Sequence, residues 1–467
     1  MINRLRALLL SGICVLGASA AWAQEAGQTS VPNPDAPDLV VESVQIVESV
    51  GTFGQPIQEL HGRVTNTSGE TAYTNIALSA QAFDETGAVI AEGDGTAVNA
   101  CGAGLLLDYA LQPGRTQNFV IPLEMYEQGI PIDHTAITPS GDPTDPHPAI
   151  TLPAGIDAVL PDQEVASVEW VNEHVLRFGV GCRTNLFNTW EWYSYNVRGV
   201  QPFPNPHPHE ALVTPELAAA LRIDDPSHAM LTFSPDGDRL VYQDRINVLI
   251  TAGFSGEAAR TLYVRLSNRT LQGIYWLPEE RFLAYYYGGY GDPVYYFTAD
   301  AESRAISPFL DRNPPSITTP GVSRDGRRIV FSGEMESGAL GYSLYVATNG
   351  FVQPLFEATP PGNNYPGALP LVDPATNLVN RVYVALDIDG EAHLQCFNRD
   401  ENTLYDLAPL PLRLAEDERA QWWISPDDQR IALAATGANG GLWLIDLNTL
   451  PPCAAPVDAT AEPTAVQ

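Results

Sequence analysis

The chain has 467 residues, 45% hydrophobic and 17% charged, enough apolar material for sizeable cores and too much for a mainly disordered protein. All 24 basic side chains are arginine, against 56 acidic ones, giving a net charge of −32. The lack of lysine excludes Schiff-base chemistry and a P-loop, and so negative a field repels nucleic acid and anionic lipid.

Residues 1–23 place Arg4 and Arg6 before an apolar run from Ala7 to Leu16 and end on Ala21-Trp22-Ala23. That is the pattern of a secretory signal peptide. The mature chain then starts near Gln24 with a charge of 22 − 56 = −34. No later stretch approaches the roughly 18 to 20 apolar residues of a membrane span, so the product is expected in the periplasm or outside the cell, without membrane insertion. Cys14 leaves with the signal. The remaining four cysteines, Cys101, Cys182, Cys396 and Cys453, favour disulfides over reactive thiols or a zinc site, because the chain is exported and has no Cys-x-x-Cys spacing.

Residues 24–37 read as a flexible leader. Strand patterning begins at Asp38 and returns at Leu60–Thr67, Asn75–Phe83, Ala88–Glu92, Leu105–Leu111 and Asn118–Leu123. Short strands with turns between them and no helical period predict an antiparallel β-sandwich over residues 38–126. The run VTNTSGETAYTNIALSAQAFDETGAVIAE, then LQPGRTQNFVIPL, resembles the FxLYD-type sandwich modules of exported bacterial proteins. Its marks are a strand ending in asparagine, an aromatic-Asp-x-x-Gly hairpin at Phe83-Asp84 where the family has Tyr-Asp, and a Pro-Gly turn before a phenylalanine strand. Residues 127–155, rich in proline and without a sustained period, read as a linker or long loop.

From residue 156 to 450 a repeat decides the architecture. LTFSPDGDRLVY (Leu231–Tyr242), GVSRDGRRIVF (Gly321–Phe331) and WWISPDDQRIAL (Trp422–Leu433) each join two apolar strands through a Ser-x-Asp turn. Their serines are 89 and 102 positions apart, twice a period of 45 to 50, and weaker units at Gly273–Tyr287 and Leu369–Leu386 fill the gaps. Val168–Val180 supplies a sixth. Four strands per unit and six units predict a six-bladed β-propeller, making the whole chain all-β. The Ser-Pro-Asp-Gly units resemble TolB-type repeats, which also occur in the propellers of prolyl oligopeptidase-like enzymes.

Three expectations follow from that architecture. Pro451-Pro452 and the alanine-rich tail at 451–467 offer no fourth strand for the last blade, so residues 156–160 should supply it; the tail should be disordered beyond Pro456. Cys396 and Cys453 fall in neighbouring blades and should pair, leaving Cys101 with Cys182. The turns between first and second strands are too short to shape a site, whereas the opposite end carries Tyr290 and Asp292 among glycines, Glu334 and Glu336, and a long crossover with His207 and His209. These six are the candidate contacts for a protein partner or an extracellular ligand.

Other motifs are bland. The Pro-Asp-Gly turns have a backbone role. Asp387-Ile388-Asp389-Gly390-Glu391 lacks the ligand set of a calcium loop and reads as a hairpin, and His207-Pro208-His209-Glu210 is too short a set for a metal. No Gly-x-Ser-x-Gly elbow occurs, so no catalytic residues, metal or cofactor are assigned, and a monomeric, non-catalytic binding or scaffolding protein is the leading reading. Its rival is an enzyme acting on an extracellular polysaccharide with acidic residues.

Overall fold

The computed structural model describes residues 27–50, 55–98, 109–126, 129–181 and 191–205 and, between 231 and 455, the strands and turns named below. Two compact units are present, Met1–Pro146 and His147–Gln467. The described elements are strands, and no described helix is long and apolar enough to cross a membrane.

Among its described residues the first unit has seven strands: β1 (Gly27–Ser30), β2 (Leu39–Val50), β3 (Pro56–Asn66), β4 (Ala72–Phe83), β5 (Val89–Val98), β6 (Thr116–Met125) and β7 (His134–Thr144). Hydrogen bonding runs through them without a break, in the order β1-β7-β4-β5-β6-β3-β2. Their inner faces meet in one core that includes Leu39, Leu60, Leu78, Ile90, Phe119 and Ile137, so a single sheet folds over on itself around it. Packing is close at Gly62, where a Cβ would stand 2.5 Å from the Phe119 ring.

The residues that carry the family resemblance have backbone work here. Asn66 is fully buried. Its Nδ2 donates to the carbonyls of Thr71 and Leu111 at 2.8 and 2.9 Å, and its Oδ1 accepts from Ser68 N. With both amide hydrogens engaged, the Asn66-Thr67-Ser68 sequon is closed to glycosylation in the folded state. Asp84 Oδ1 accepts from Thr86 Oγ1, Thr86 N and Ala88 N. Those bonds, that from Thr86 Oγ1 foremost, hold the carboxyl below its usual range. Phe83 stacks on His134 with ring centroids 4.7 Å apart. Of the strand expected at 105–111, only the end is described, and Leu111 forms an isolated bridge with Tyr73.

Two boundaries expected from the sequence are corrected. Part of the region read as a linker at 127–155 is strand β7, paired antiparallel with β4 from His134–Phe83 to Thr144–Ala72. Part of the leader is β1, paired parallel with β7 through Gly27–His134 to Ser30–Ile137. Pro139 and Pro143 lie beyond the reach of β1, where β7 is an edge strand and a missing N–H costs little. Thr135 and Ile137 are buried while Ala136 and Thr138 are half-exposed, the period of two that prolines obscure.

The second unit opens with β8 (Ile156–Pro161). Among the described residues, six antiparallel sheets follow. The first comprises β9 (Val165–Asn172), β10 (Val175–Val180), β11 (Glu191–Asn196) and β12 (Phe203–Pro204); the second β13 (Leu231–Phe233), β14 (Arg239–Asp244), β15 (Val248–Gly253) and β16 (Arg260–Tyr263). The third is β17 (Thr270–Leu277), β18 (Arg281–Tyr287), β19 (Tyr295–Asp300) and β20 (Ile306–Pro308). In the fourth, β21 (Ser316–Ile317) and β22 (Gly321–Val322) both pair with β23 (Arg328–Glu334), which continues to β24 (Ser343–Thr348) and β25 (Phe351–Phe356). The fifth holds β26 (Leu369–Asp373), β27 (Leu378–Ile388), β28 (Glu391–Asn398) and β29 (Thr403–Pro409). The last joins β30 (Gln421–Ile424), β31 (Arg430–Ala435) and β32 (Gly441–Asp446) to β8.

That last pairing closes a β-propeller. β8 lies antiparallel to β32, with Ile156 opposite Ile445 and Ala158 opposite Trp443, as the sequence leads one to expect. Apolar faces meet between successive sheets: Val330 and Val346 of the fourth pack with Val384 and Phe397 of the fifth, and Leu394 of the fifth with Trp422 and Leu433 of the sixth. Ala432 and Leu442 of the sixth then pack with Val168 and Phe178 of the first. Gly155 makes the closure possible, because its φ is +92° and an added Cβ would stand 1.8 Å from Thr449 Oγ1.

Candidate functional site

The Ser-x-Asp turns hold the sheets from one end. In each, the serine is buried, and its Oγ accepts from the backbone N–H of an arginine five residues on: Ser234 from Arg239 at 3.0 Å, Ser323 from Arg328 at 3.1 Å and Ser425 from Arg430 at 2.9 Å. Ser234 and Ser323 return the bond to the arginine carbonyl. Ser425 donates instead to Asp427 Oδ1 at 2.6 Å. Burial raises the Asp427 pKa, but the bonds from Ser425 and Gln429 N and the nearby Arg430 guanidinium outweigh it and hold the carboxyl below its usual range. In the glycine position of this turn stands Asp428, with φ +59°. It lies within electrostatic reach of Tyr383, whose hydroxyl pKa is raised chiefly by burial and further by Asp428, against the lowering influence of Arg381. These serines have a backbone role in the turns.

Connections at the two ends differ in length. Second and third strands are joined by residues 181–190, 245–247, 288–294, 335–342, 389–390 and 436–440, whereas first and second strands are joined by 173–174, 234–238, 278–280, 323–327, 374–377 and 425–429. The long connections therefore belong to the first, third and fourth sheets. Across 389–390, Ile388 stands opposite Glu391, the last pair of the β27–β28 ladder. The 436–440 segment is drawn into the closure: Gly440 O accepts from Asp162 N, and Asn439 O from Trp443 Nε1.

Of the sequence-predicted contacts, Tyr290, Asp292, His207, His209 and Glu336 lie outside the described residues. Glu334 is corrected from loop to strand: it ends β23, with its backbone opposite Ser316. Cys101 and Cys182 also lie outside the described residues, whereas Cys396 and Cys453 are bonded, with Cα atoms 5.7 Å apart. Residues 451–455, ahead of the part of the tail expected to be disordered, are tied to the fifth sheet and its 399–402 turn. There Asn398 Nδ2 donates to Cys453 O at 2.8 Å, and Ala455 N donates to Glu401 Oε2 at 3.0 Å. Glu401 in turn accepts from Asn398 Nδ2 and from Tyr405 OH.

One polar group escaped the sequence reading. His393 Nδ1 lies 2.9 and 3.2 Å from the two carboxylate oxygens of Asp406, next to the 389–390 connection at the end with the longer connections. A carboxylate on Nδ1 fixes the orientation of the ring. Gln395, on the same face of β28 and opposite Asp406, is buried, and its Oε1 accepts no hydrogen bond. Among the described residues, no three histidine, cysteine or acidic side chains are grouped to hold a metal ion.

No family model and no curated protein matches the chain. Solved structures do. An oligogalacturonate lyase from Vibrio parahaemolyticus is 10% identical, covers 64% of this chain and 97% of its own, with a TM-score of 0.35. TolB from Acinetobacter baumannii is 11% identical over 63% of this chain and 66% of its own (TM-score 0.34), and regucalcin from Agrobacterium tumefaciens is 11% identical over 61% and 90% (TM-score 0.36). At such scores the propeller assignment rests on strand pairing and sheet packing, and the matches carry nothing about activity.

Proposed function

We propose that the chain is an exported binding or scaffolding protein with an FxLYD-like first module. Its second unit is read as a complete six-bladed, TolB-like propeller that recognises a protein partner or an extracellular ligand outside the cytoplasm. The observation that carries this reading is the asymmetry of the connections: one end is tied down by Ser–Arg turns, while the long segments 181–190, 288–294 and 335–342 leave from the other. Long connections on a rigid scaffold are where recognition residues concentrate. Tyr290, Asp292, Glu334, Glu336, His207 and His209 are the proposed contacts, with His393 and Asp406 at the same end. The signal-like residues 1–23 and the Cys396–Cys453 bond support export.

The test is capture of a partner from envelope or culture supernatant on the mature protein, followed by substitution. Tyr290→Ala should weaken the captured complex by on the order of 1 kcal/mol or more, about fivefold in affinity. Unchanged affinity there, with loss on substituting Asp236 or Asp325 in the turns of the opposite end, would overturn the assignment. The rival enzyme reading draws on the His393–Asp406 pair, which has the form of an oriented base. It requires turnover of an extracellular polysaccharide that His393→Ala abolishes.

A further inference from the structure

The strand that closes the propeller is joined to the next sheet by a link unlike the others. Elsewhere the fourth strand of one sheet is connected to the first strand of the next by residues 205–230, 264–269, 309–315, 357–368 and 410–420. From β8 to β9 the link is only residues 162–164, and each of the others is at least twice as long. Because β9 packs over β30 and β31, the link must cross at least two strand spacings, about 10 Å. Four Cα steps from Pro161 to Val165 reach about 14 Å at most, and part of that reach is taken up by a turn, since Asp162 has φ +57°. A short link held in a conformation that side chains other than glycine disfavour stores strain.

The partners of β8, and of the segment before it, lie in the last sheet and beside it. β8 pairs with β32 from Ile156–Ile445 to Pro161–Gly441, and Val159 packs with Leu442 and Leu444. Asp446 N donates to Gly155 O, Thr449 Oγ1 to Ala154 O, and Arg413 Nη2 to Pro148 O. A second copy of the chain offers the same groups in the same register. Exchange of β8 between two copies therefore keeps these interactions and changes one thing, the path of the 162–164 link, which is then free to open.

We propose that β8 is an exchange element: in a two-fold symmetric dimer, the β8 of each chain closes the propeller of the other, in place of the monomer expected from the sequence. The first unit stays attached to its own β8, so exchange connects each propeller to the first unit of the second copy. Reciprocal exchange is a low-cost route to dimers, and short hinge links under strain invite it. The interface it creates is the native β8–β32 ladder, made between chains.

The experiment refolds the full mature chain from urea at low and at high protein concentration and reads its mass by light scattering after gel filtration. A monomer is expected at low concentration and a dimer at high concentration. Ala158 of β8 stands opposite Trp443 of β32, so copies carrying only Ala158→Cys, refolded with copies carrying only Trp443→Cys, should form a disulfide between unlike chains that peptide mapping places at 158 and 443. Insertion of three glycines after Gln163 relaxes the link and should raise the concentration of half-dimerisation at least about tenfold, with a smaller rise for Asp162→Gly. These two hinge variants leave β8 and β32 untouched and keep the proposal testable if Trp443→Cys does not fold. A chain that is monomeric at both concentrations overturns the proposal. So does a dimer of folded single-cysteine variants without the 158–443 disulfide, or one whose half-dimerisation concentration neither hinge variant changes, because another surface would then hold it.

Discussion

The two units treat the same hazard, an unpaired strand edge, in opposite ways. In the propeller, the outer edge of β32 is covered by β8, brought from the far end of the unit's sequence. In the first unit, the twelve-residue strand β2 ends the hydrogen-bonding order and is blunted chemically. A bulge interrupts its pairing between Glu42 and Gln45, with Ser43 at φ +55°, and Glu42, Gln45 and Glu48 are exposed along it. Bulges and charges both deter edge-to-edge association. The difference teaches that closure makes stability depend on a few docking residues, whereas blunting spreads the protection along a strand and tolerates change.

The sharpest way to break this contrast is at Gly155. Alanine there must enter the space of Thr449 Oγ1 while adopting a positive φ, and overpacking plus backbone strain together should cost about 4 kcal/mol. Urea denaturation of the second unit's transition reads it; a loss below about 1 kcal/mol would show that closure does not depend on the 154–155 turn. Next comes the bond between Cys396 and Cys453, which are separated by 57 residues. Cys453→Ser should lower stability by about 2 to 4 kcal/mol, and reduction of the parent should lower it by at least as much. Equal stability of parent and variant in oxidising buffer would remove the tail from the account of closure. The smallest effect is expected in the first unit: Ser43→Gly, at a position already in the left-handed region, should raise stability by about 0.5 to 1 kcal/mol. A loss would mean that the serine side chain itself holds the bulge.

The propeller was legible because its turn chemistry repeats. The buried serines at 234, 323 and 425 are required by the same backbone geometry, so spacing alone located the intervening units. The closing strand was legible from Pro451 and Pro452, which leave the last sheet one strand short. β7 was hidden by prolines, whose edge position is set by the short reach of β1, a tertiary fact. The His393–Asp406 pair was hidden by register: thirteen residues separate the two along the chain, and a bulge between Leu394 and Gln395 decides which side chains meet. Asp428 was hidden because it replaces the glycine of the turn while keeping glycine's conformation. The proposed contacts Tyr290 and Asp292 were singled out by composition, since an aromatic among glycines has no packing reason to be there.

The β8–β32 pairing also carries a consequence in time. Its two halves are 441 − 156 = 285 positions apart, so no closed propeller exists until β32 has been made. At about 5 to 20 residues per second, the closing strand waits roughly 15 to 60 s for its partner. Throughout that interval it is a short segment able to pair elsewhere, and it bears the marks of one kept from doing so: Asp157 sits within it and Pro161 ends it. The strand that completes the ring is thus among the first parts of its unit to be synthesised and, of necessity, among the last to be paired.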